Sequence, residues 1–389
     1  MADAQHDLIE TKVKQTNRIV KGKAIIKTLI DGRYQINQKC SGTFIYGKPT
    51  SFPIEIDESG SYVLTSDIVA PAGANCINVM VDNVTLDLNG FSVIGPGTGT
   101  TGHGIYMDGR SNVEIRNGTV QGFGLNGIHE ASSDGTSHRI INVRAVSNGY
   151  DIHNRGIYLN GYNHLVKDCS VVDNANHGIS VGNGCTVTGN TVSGNRTYAI
   201  GTGSGCTITG NTCYDNHGRG ISAGYGCTLI NNTCYDNASH GIVVGDSSTV
   251  VGNTARSNGD DGIHSVGASL VSENTVHDNG YNGIGAEHTT MVVGNIARYN
   301  NQKDLATCAG ICVANGCLVK GNTVLNNRQN NIYISGEDSS IEENLVVGTN
   351  NGIYFSDTGN FYANNRASGN ATNYNDPGGN TDGGGNVSF

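Results

Sequence analysis

The sequence predicts a right-handed parallel β-helix, a solenoid of short strands with about twenty-one residues per coil. Three columns in one register predict it. Asn190, Asn211, Asn232, Asn253, Asn274 and Asn295 are spaced by twenty-one residues each time, and the series continues at Asn322, Asn344 and Asn365 after small insertions. Five residues further on run Asn195, Asn216, Asn237, Asn258, Asn279, Asn300 and Asn327. The next column is Ile179, Ile200, Ile221, Ile242, Ile263 and Ile284. Self-similarity at a fixed period marks a stacked repeat, in which no unit buries its apolar face alone.

Each repeat reads as three short strands. Around Asn190 they are Ile179–Val181, Thr186–Thr188 and Thr191–Ser193, rich in β-branched residues and divided by Gly and Asn. Alternation turns Ile179, Val181, Val187 and Val192 inward, and Ser180, Thr186 and Thr188 outward. Stacking at about 4.8 Å pairs every strand with the coils on either side. Asn at a corner tolerates the left-handed conformation, and its amide can bond the same Asn one coil away. The asparagine series are therefore structural ladders.

Composition agrees with one elongated domain. The chain has 389 residues, with 57 Gly, 5 Pro, no Trp and only 14% charged residues, which is poor in helix formers. The formal charge of -10 argues against a nucleic-acid partner, which needs clustered Lys and Arg. No run of eighteen apolar residues exists to span a membrane. The first residues lack the regions of a secretory signal. The expected location is nonetheless extracellular, cell-surface or periplasmic, with a virion as the other reading.

The earlier chain is less regular. The runs Asp82 to Phe91 (DNVTLDLNGF) and Asn112 to Val120 (NVEIRNGTV) look like coils with longer loops between them, led in by Gly60 to Asp67. Here the sequence resembles the bacterial right-handed β-helix repeat proteins, a group that includes pectate lyases, alginate C5-epimerases and NosD-like periplasmic proteins. The resemblance covers roughly Pro53 to Asn370 and implies architecture rather than chemistry. The expected division is an N-terminal cap or attachment segment at 1–50, the β-helix at 51–370, and a C-terminal cap or tail at 371–389. Leu8 to Leu29 places six Lys and Arg among Ile and Val, consistent with a cap over the solenoid's open end or with self-association.

Cys185, Cys206 and Cys227 share a column that Ser248, Ser269 and Thr290 continue and Cys317 rejoins. They read as small buried thiols, although adjacent coils are close enough for an occasional disulfide. The pair Cys308 and Cys312 lacks two further ligands nearby, so zinc is not expected. No cofactor is expected, apart from Ca²⁺ as a reading of the Asp260-Asp261 doublet.

Two columns carry the functional expectation. Before the first strand run His103, Asn126, Arg155, His177, Tyr198, Arg219, His240 and Asp261; outward on that strand lie Tyr106, His129, Tyr158, Ser180, Gly201, Ser222, Val243 and His264. They describe a shallow track with small residues on its floor. Substrate contacts are expected from His129, Tyr158, His177, Tyr198, Arg219, His240 and His264, since Arg and His suit sugar carboxylates and Tyr can stack on sugar rings. A merely solvated polar surface is the other reading.

A longer loop, Asn148 to Arg155, borders this track. Its Tyr150, Asp151 and His153 are similar to the Tyr…Asp-Pro-His loop of alginate C5-epimerases. Ile152 stands in place of the proline, Asn154 in place of the usual acid, and Tyr150 is adjacent to Asp151. The resemblance implies a lyase or C5-epimerase on a uronate glycan. His153 would then be the base, oriented by Asp151, with Tyr150 as proton donor and Arg155 with His177 holding the carboxylate. The reading from another class is a non-catalytic rod, as in a fibre, tailspike or adhesin.

Overall fold

A computed structural model describes residues 52–389, preceded by the short strands Ile19–Val20, Lys23–Ala24, Leu29–Ile30 and Arg33–Ile36. Residues 52–389 form strands, turns and loops, with no helix among them. The first strands of successive coils stack into one 15-stranded parallel sheet, from Ile54–Ile56 to Thr372–Asn375. The second and third strands of each coil join a 30-stranded sheet that wraps the rest of the solenoid.

Register follows the repeat. Ile179 pairs with Ile200, Ile200 with Ile221, Ile221 with Ile242 and Ile242 with Ile263, each in parallel. All five side chains are buried, and so are Val187, Ile208, Leu229 and Val250 on the second face. Val192, Cys213, Cys234 and Ala255 line the third face from inside. In-register stacking of like side chains gives one continuous apolar core along the axis.

The corners explain the asparagines, with one correction. The left-handed residue is not the ladder asparagine but the one before it: Gly189 (φ 67°), Gly210 (φ 64°), Asn231 (φ 54°) and Gly252 (φ 67°). That residue turns the chain, and the next one points its amide into the solenoid. Asn211 Oδ1 accepts the backbone N–H and the amide of Asn190, at 3.0 and 2.9 Å. Its own amide donates to Val187 O at 2.8 Å and to Asn232 Oδ1 at 3.0 Å. A buried corner whose backbone has no strand partner is satisfied in this way, coil after coil.

A further ladder runs at the corner before the second strand. The N–H of Val113 donates to His138 Nδ1, that of His138 to His164 Nδ1, and that of His164 to Cys185 Sγ. Cys185 and Cys206 continue it onto the sulfurs of Cys206 and Cys227, and Cys227 donates to Ser248 Oγ. The column thus needs a small acceptor, whether imidazole, thiol or hydroxyl. The ten described cysteines are free thiols.

At the N-terminal end Arg33–Ile36 pairs with Gly60–Leu64, setting Tyr34 beside Tyr62. The remainder of the predicted cap at 1–50 lies outside the described residues, apart from the three short strands before it. Beyond residue 370, where the sequence suggested a cap or tail, Thr372–Asn375, Thr381–Asp382 and Val387–Ser388 pair in parallel with the coil before them. The ladder reaches Asn386, which accepts from Asn365 at 3.0 Å.

Candidate functional site

The first sheet's outward column is built as the alternation requires. Tyr106 pairs with His129, His129 with Tyr158, Tyr158 with Ser180, and Ser180 with Gly201. Small floor residues between larger walls leave a groove of about 330 Å³. Its walls are Arg155, Tyr158, His177 and Tyr198, and its floor includes Ser180 and Gly201. Ser222 continues that floor, and Asn160 and Thr202 add polar lining. Asn160 and Thr202 were not foreseen, because they lie within the strands Ile157–Tyr162 and Ile200–Thr202 at positions outside the two columns.

The walls are stacked along the solenoid axis. His177 lies on Tyr198 with ring centres 4.6 Å apart and planes within 9° of parallel. His129 lies on Tyr158 at 5.0 Å and 13°. Arg155 sits 3.9 Å above the Tyr158 ring, and Arg219 lies 5.3 Å from that of Tyr198. Contrary to the expected stacking on sugar rings, the ring faces are taken by these neighbours, and edges and hydroxyls are left for a ligand. The Arg155 guanidinium has no hydrogen bond or ion pair with the described residues, and its Nε is buried without a partner.

The imidazoles of the turn column are neutral by construction. Nδ1 of His103 accepts the N–H of Asn126, Nδ1 of His177 that of Tyr198, and Nδ1 of His240 that of Asp261. The proton therefore sits on Nε2 in His103 and His240, while His177 Nδ1 also lies 2.6 Å from the Thr197 hydroxyl, which itself donates to Asn176. Burial pushes His177 down to about 4, with Arg155 adding to the effect. Burial likewise takes His129 to about 4 and His103 to about 3, and it lowers His240. As a result the groove offers one neutral imidazole, His177, and one unpaired cation, and none of its lining residues is acidic.

The loop residues are placed differently. Tyr150 and Ile152 are exposed, and Tyr150, Asp151 and His153 do not line the groove. Asp151 Oδ1 accepts the backbone N–H of His153 at 2.8 Å and the Asn154 amide at 2.7 Å. Through Oδ1 the carboxylate closes the loop on itself, because two nearby N–H groups need an acceptor. The exposed His153 ring has no partner among the described residues. Of the four expected catalytic residues, Arg155 alone reaches the groove.

Further along the face, His264 Nδ1 meets Asp261 Oδ2 at 3.1 Å, and its Nε2 lies 3.4 Å from Glu287. The doublet considered for Ca²⁺ is already engaged. Asp261 Oδ1 accepts the N–H and amide of Asn282, while Asp260 accepts from Ser239 and pairs with Lys303. Among the described residues no three His, Cys, Asp or Glu side chains are placed to hold a metal ion.

A family model described as right handed beta helix region matches residues 53–206 and 131–270. The chain belongs to this β-helix family. Among solved structures, the β-helix is similar to the A-module of the Azotobacter vinelandii mannuronan C-5 epimerase AlgE6. They share 17% identity over 85% of this chain and 91% of that one, with a TM-score of 0.50. The AlgE4 A-module of the same organism gives 13% identity over 83% and 91%, with a TM-score of 0.51. At such identities the likeness is one of fold. No curated protein matches the sequence. No helix among the described residues is long and apolar enough to cross a membrane.

Proposed function

We propose that this β-helix binds an acidic, uronate-bearing glycan along its first face, with the sugar chain running parallel to the solenoid axis. One observation carries the reading: the groove holds an unpaired arginine, Arg155, and not one carboxylate. A guanidinium with free donors suits a sugar carboxylate, and the neutral imidazole of His177 stands beside it. Serine, glycine and threonine along the floor leave room for a chain rather than a compact ligand. Two β-helices of the same fold are named mannuronan C-5 epimerases, in keeping with a polyuronate ligand. The reading places the protein outside the cytoplasm, at a cell surface, in a periplasm or on a virion.

Lyase or epimerase activity is the finer part of the proposal, and it rests on His153 and Tyr150 moving over a bound chain. In favour of a non-catalytic binding rod, the His153 ring lacks an orienting partner. The test is calorimetric titration with oligomers of mannuronate, guluronate and galacturonate, followed by ultraviolet absorbance for unsaturated product and proton NMR for C5 inversion. Saturable binding that Arg155→Ala reduces at least tenfold is expected. No binding by any uronate oligomer would remove the reading. Turnover lost in His153→Ala would establish the enzyme, and binding without turnover would establish the rod.

A further inference from the structure

The groove's lining ends at Ser222, but the column that forms its floor does not. The outward column continues in register through Val243 and His264 to Gly285. Val243 is small and almost fully buried, so it raises no wall. At Gly285 a Cβ would stand 2.8 Å from Asp261 Oδ2 and 3.2 Å from His264 Nδ1. The absence of a side chain there is what lets the two approach. From Asn174 to Asn300 the coil spacing stays at 21 residues; it is 26 between Asn148 and Asn174, in the coil that carries Arg155, and 27 between Asn300 and Asn327. From Arg155 to Asp261 are five coil steps, about 24 Å.

The two ends of this stretch carry opposite charge. Arg155 marks one end. At the other, His264 stands between the carboxylates of Asp261 and Glu287, which is 45% exposed. The other groups facing it are His240, with rings 5.5 Å apart, Asp260 paired with Lys303, and beyond His240 the guanidinium of Arg219. The thiols of Cys308 and Cys312 lie near Asp261, and their pKa is raised, first by burial. With His264 protonated the cluster of Asp261, His264 and Glu287 carries one net negative charge, and with His264 neutral it carries two.

We infer that the ligand track extends beyond the groove to a second subsite at His264, and that the charge on this imidazole decides whether an acidic sugar unit can occupy it. The inference rests on the glycan reading above. The imidazolium offsets the carboxylates that a polyanion would otherwise meet, and its loss opposes the far end of a long chain while sparing a short one. The other imidazoles of the track are held neutral by the N–H groups they accept or by burial. His264 differs because its hydrogen bond to Asp261, and then the charges of Asp261 and Glu287, raise its pKa against the effect of burial.

The test compares a trimannuronate, confined to the groove, with an octamannuronate, long enough to reach His264, between about pH 5 and pH 8. Octamer affinity is expected to fall about tenfold with rising pH, as loss of one neighbouring charge implies, while trimer affinity changes little. His264→Gln should give a weak, pH-independent octamer, and His264→Lys a tight, pH-independent one. Glu287→Gln should restore octamer affinity at the high-pH end. An octamer profile that matches the trimer's, or that survives in His264→Gln, overturns the subsite while leaving the groove intact. If neither oligomer binds at any pH, the glycan reading falls and takes the subsite with it.

Discussion

The imidazole of His177 is held twice by the coil that follows it: its ring lies flat against Tyr198, and its Nδ1 accepts the Tyr198 backbone N–H at 3.3 Å. Thr197 Oγ1, 2.6 Å from the same nitrogen, completes the fixation. The pair is at once a rung of the turn and a wall of the groove, so structure and recognition share one side chain. His177→Ala should therefore weaken both. We expect a loss of about 1–3 kcal/mol in stability from the unsatisfied N–H, together with at least tenfold weaker uronate binding. Unfolding curves and calorimetry on the same sample measure the two effects. Intact binding would remove His177 from the site.

The ladder asparagines are expected to be among the least replaceable residues. Asn211→Ala removes five hydrogen bonds and leaves the buried N–H of Asn190 without an acceptor. A cost of about 2–4 kcal/mol is expected, read as a lower unfolding midpoint in denaturant. A shift within error of zero would show that water enters the corner.

The cysteine column should tolerate serine and reject alanine. Cys206 Sγ accepts the N–H of Cys185, and two coils on Ser248 Oγ does the same for Cys227. Cys206→Ser is expected to stay within about 1 kcal/mol of the parent, while Cys206→Ala loses about 1–3 kcal/mol through the orphaned N–H. Equal losses in both variants would mean that thiol packing, and not the acceptor, holds this corner.

Thr289 occupies a left-handed corner, φ 53°, where other coils carry Gly184, Gly205, Gly226 and Gly316. A β-branched residue is strained in this region. Thr289→Gly is expected to raise stability by up to about 1 kcal/mol, the relief of strain exceeding the added freedom of the unfolded chain. A lower thermal midpoint for the glycine variant would contradict this account.

Acid should unfold the solenoid early. Burial holds His129, His164 and His177 at about 4 and His103 at about 3, below the ordinary 6.5. For a depressed imidazole the unfolded chain takes up the proton first, so stability is intact above about 6.5 and declines as pH falls toward about 4. His264 acts in the opposite sense: its contribution is present below about 6.5 and is lost as pH rises through its raised folded value. Thermal midpoints across this range should drop steeply on the acid side. A flat profile would mean that these imidazoles are hydrated in solution.

The sequence by itself determined the solenoid. Columns such as Asn190 to Asn295 and Ile179 to Ile284 are written along the chain because each residue's partner is its own counterpart one coil away. Period therefore specifies contact. The same logic located the groove floor at Ser180 and Gly201 and its walls at Arg155, Tyr158, His177 and Tyr198. What the tertiary structure alone decided was how those side chains use their atoms. Whether Asp151 bonds a ring or its own loop depends on the fold of an insertion, which the repeat does not govern. That the faces of Tyr158 and Tyr198 are covered, and that Asp261 and Glu287 close on His264 across Gly285, depends on side-chain directions between coils. Period places residues on a face, and only packing fixes which of their donors and acceptors remain for a ligand.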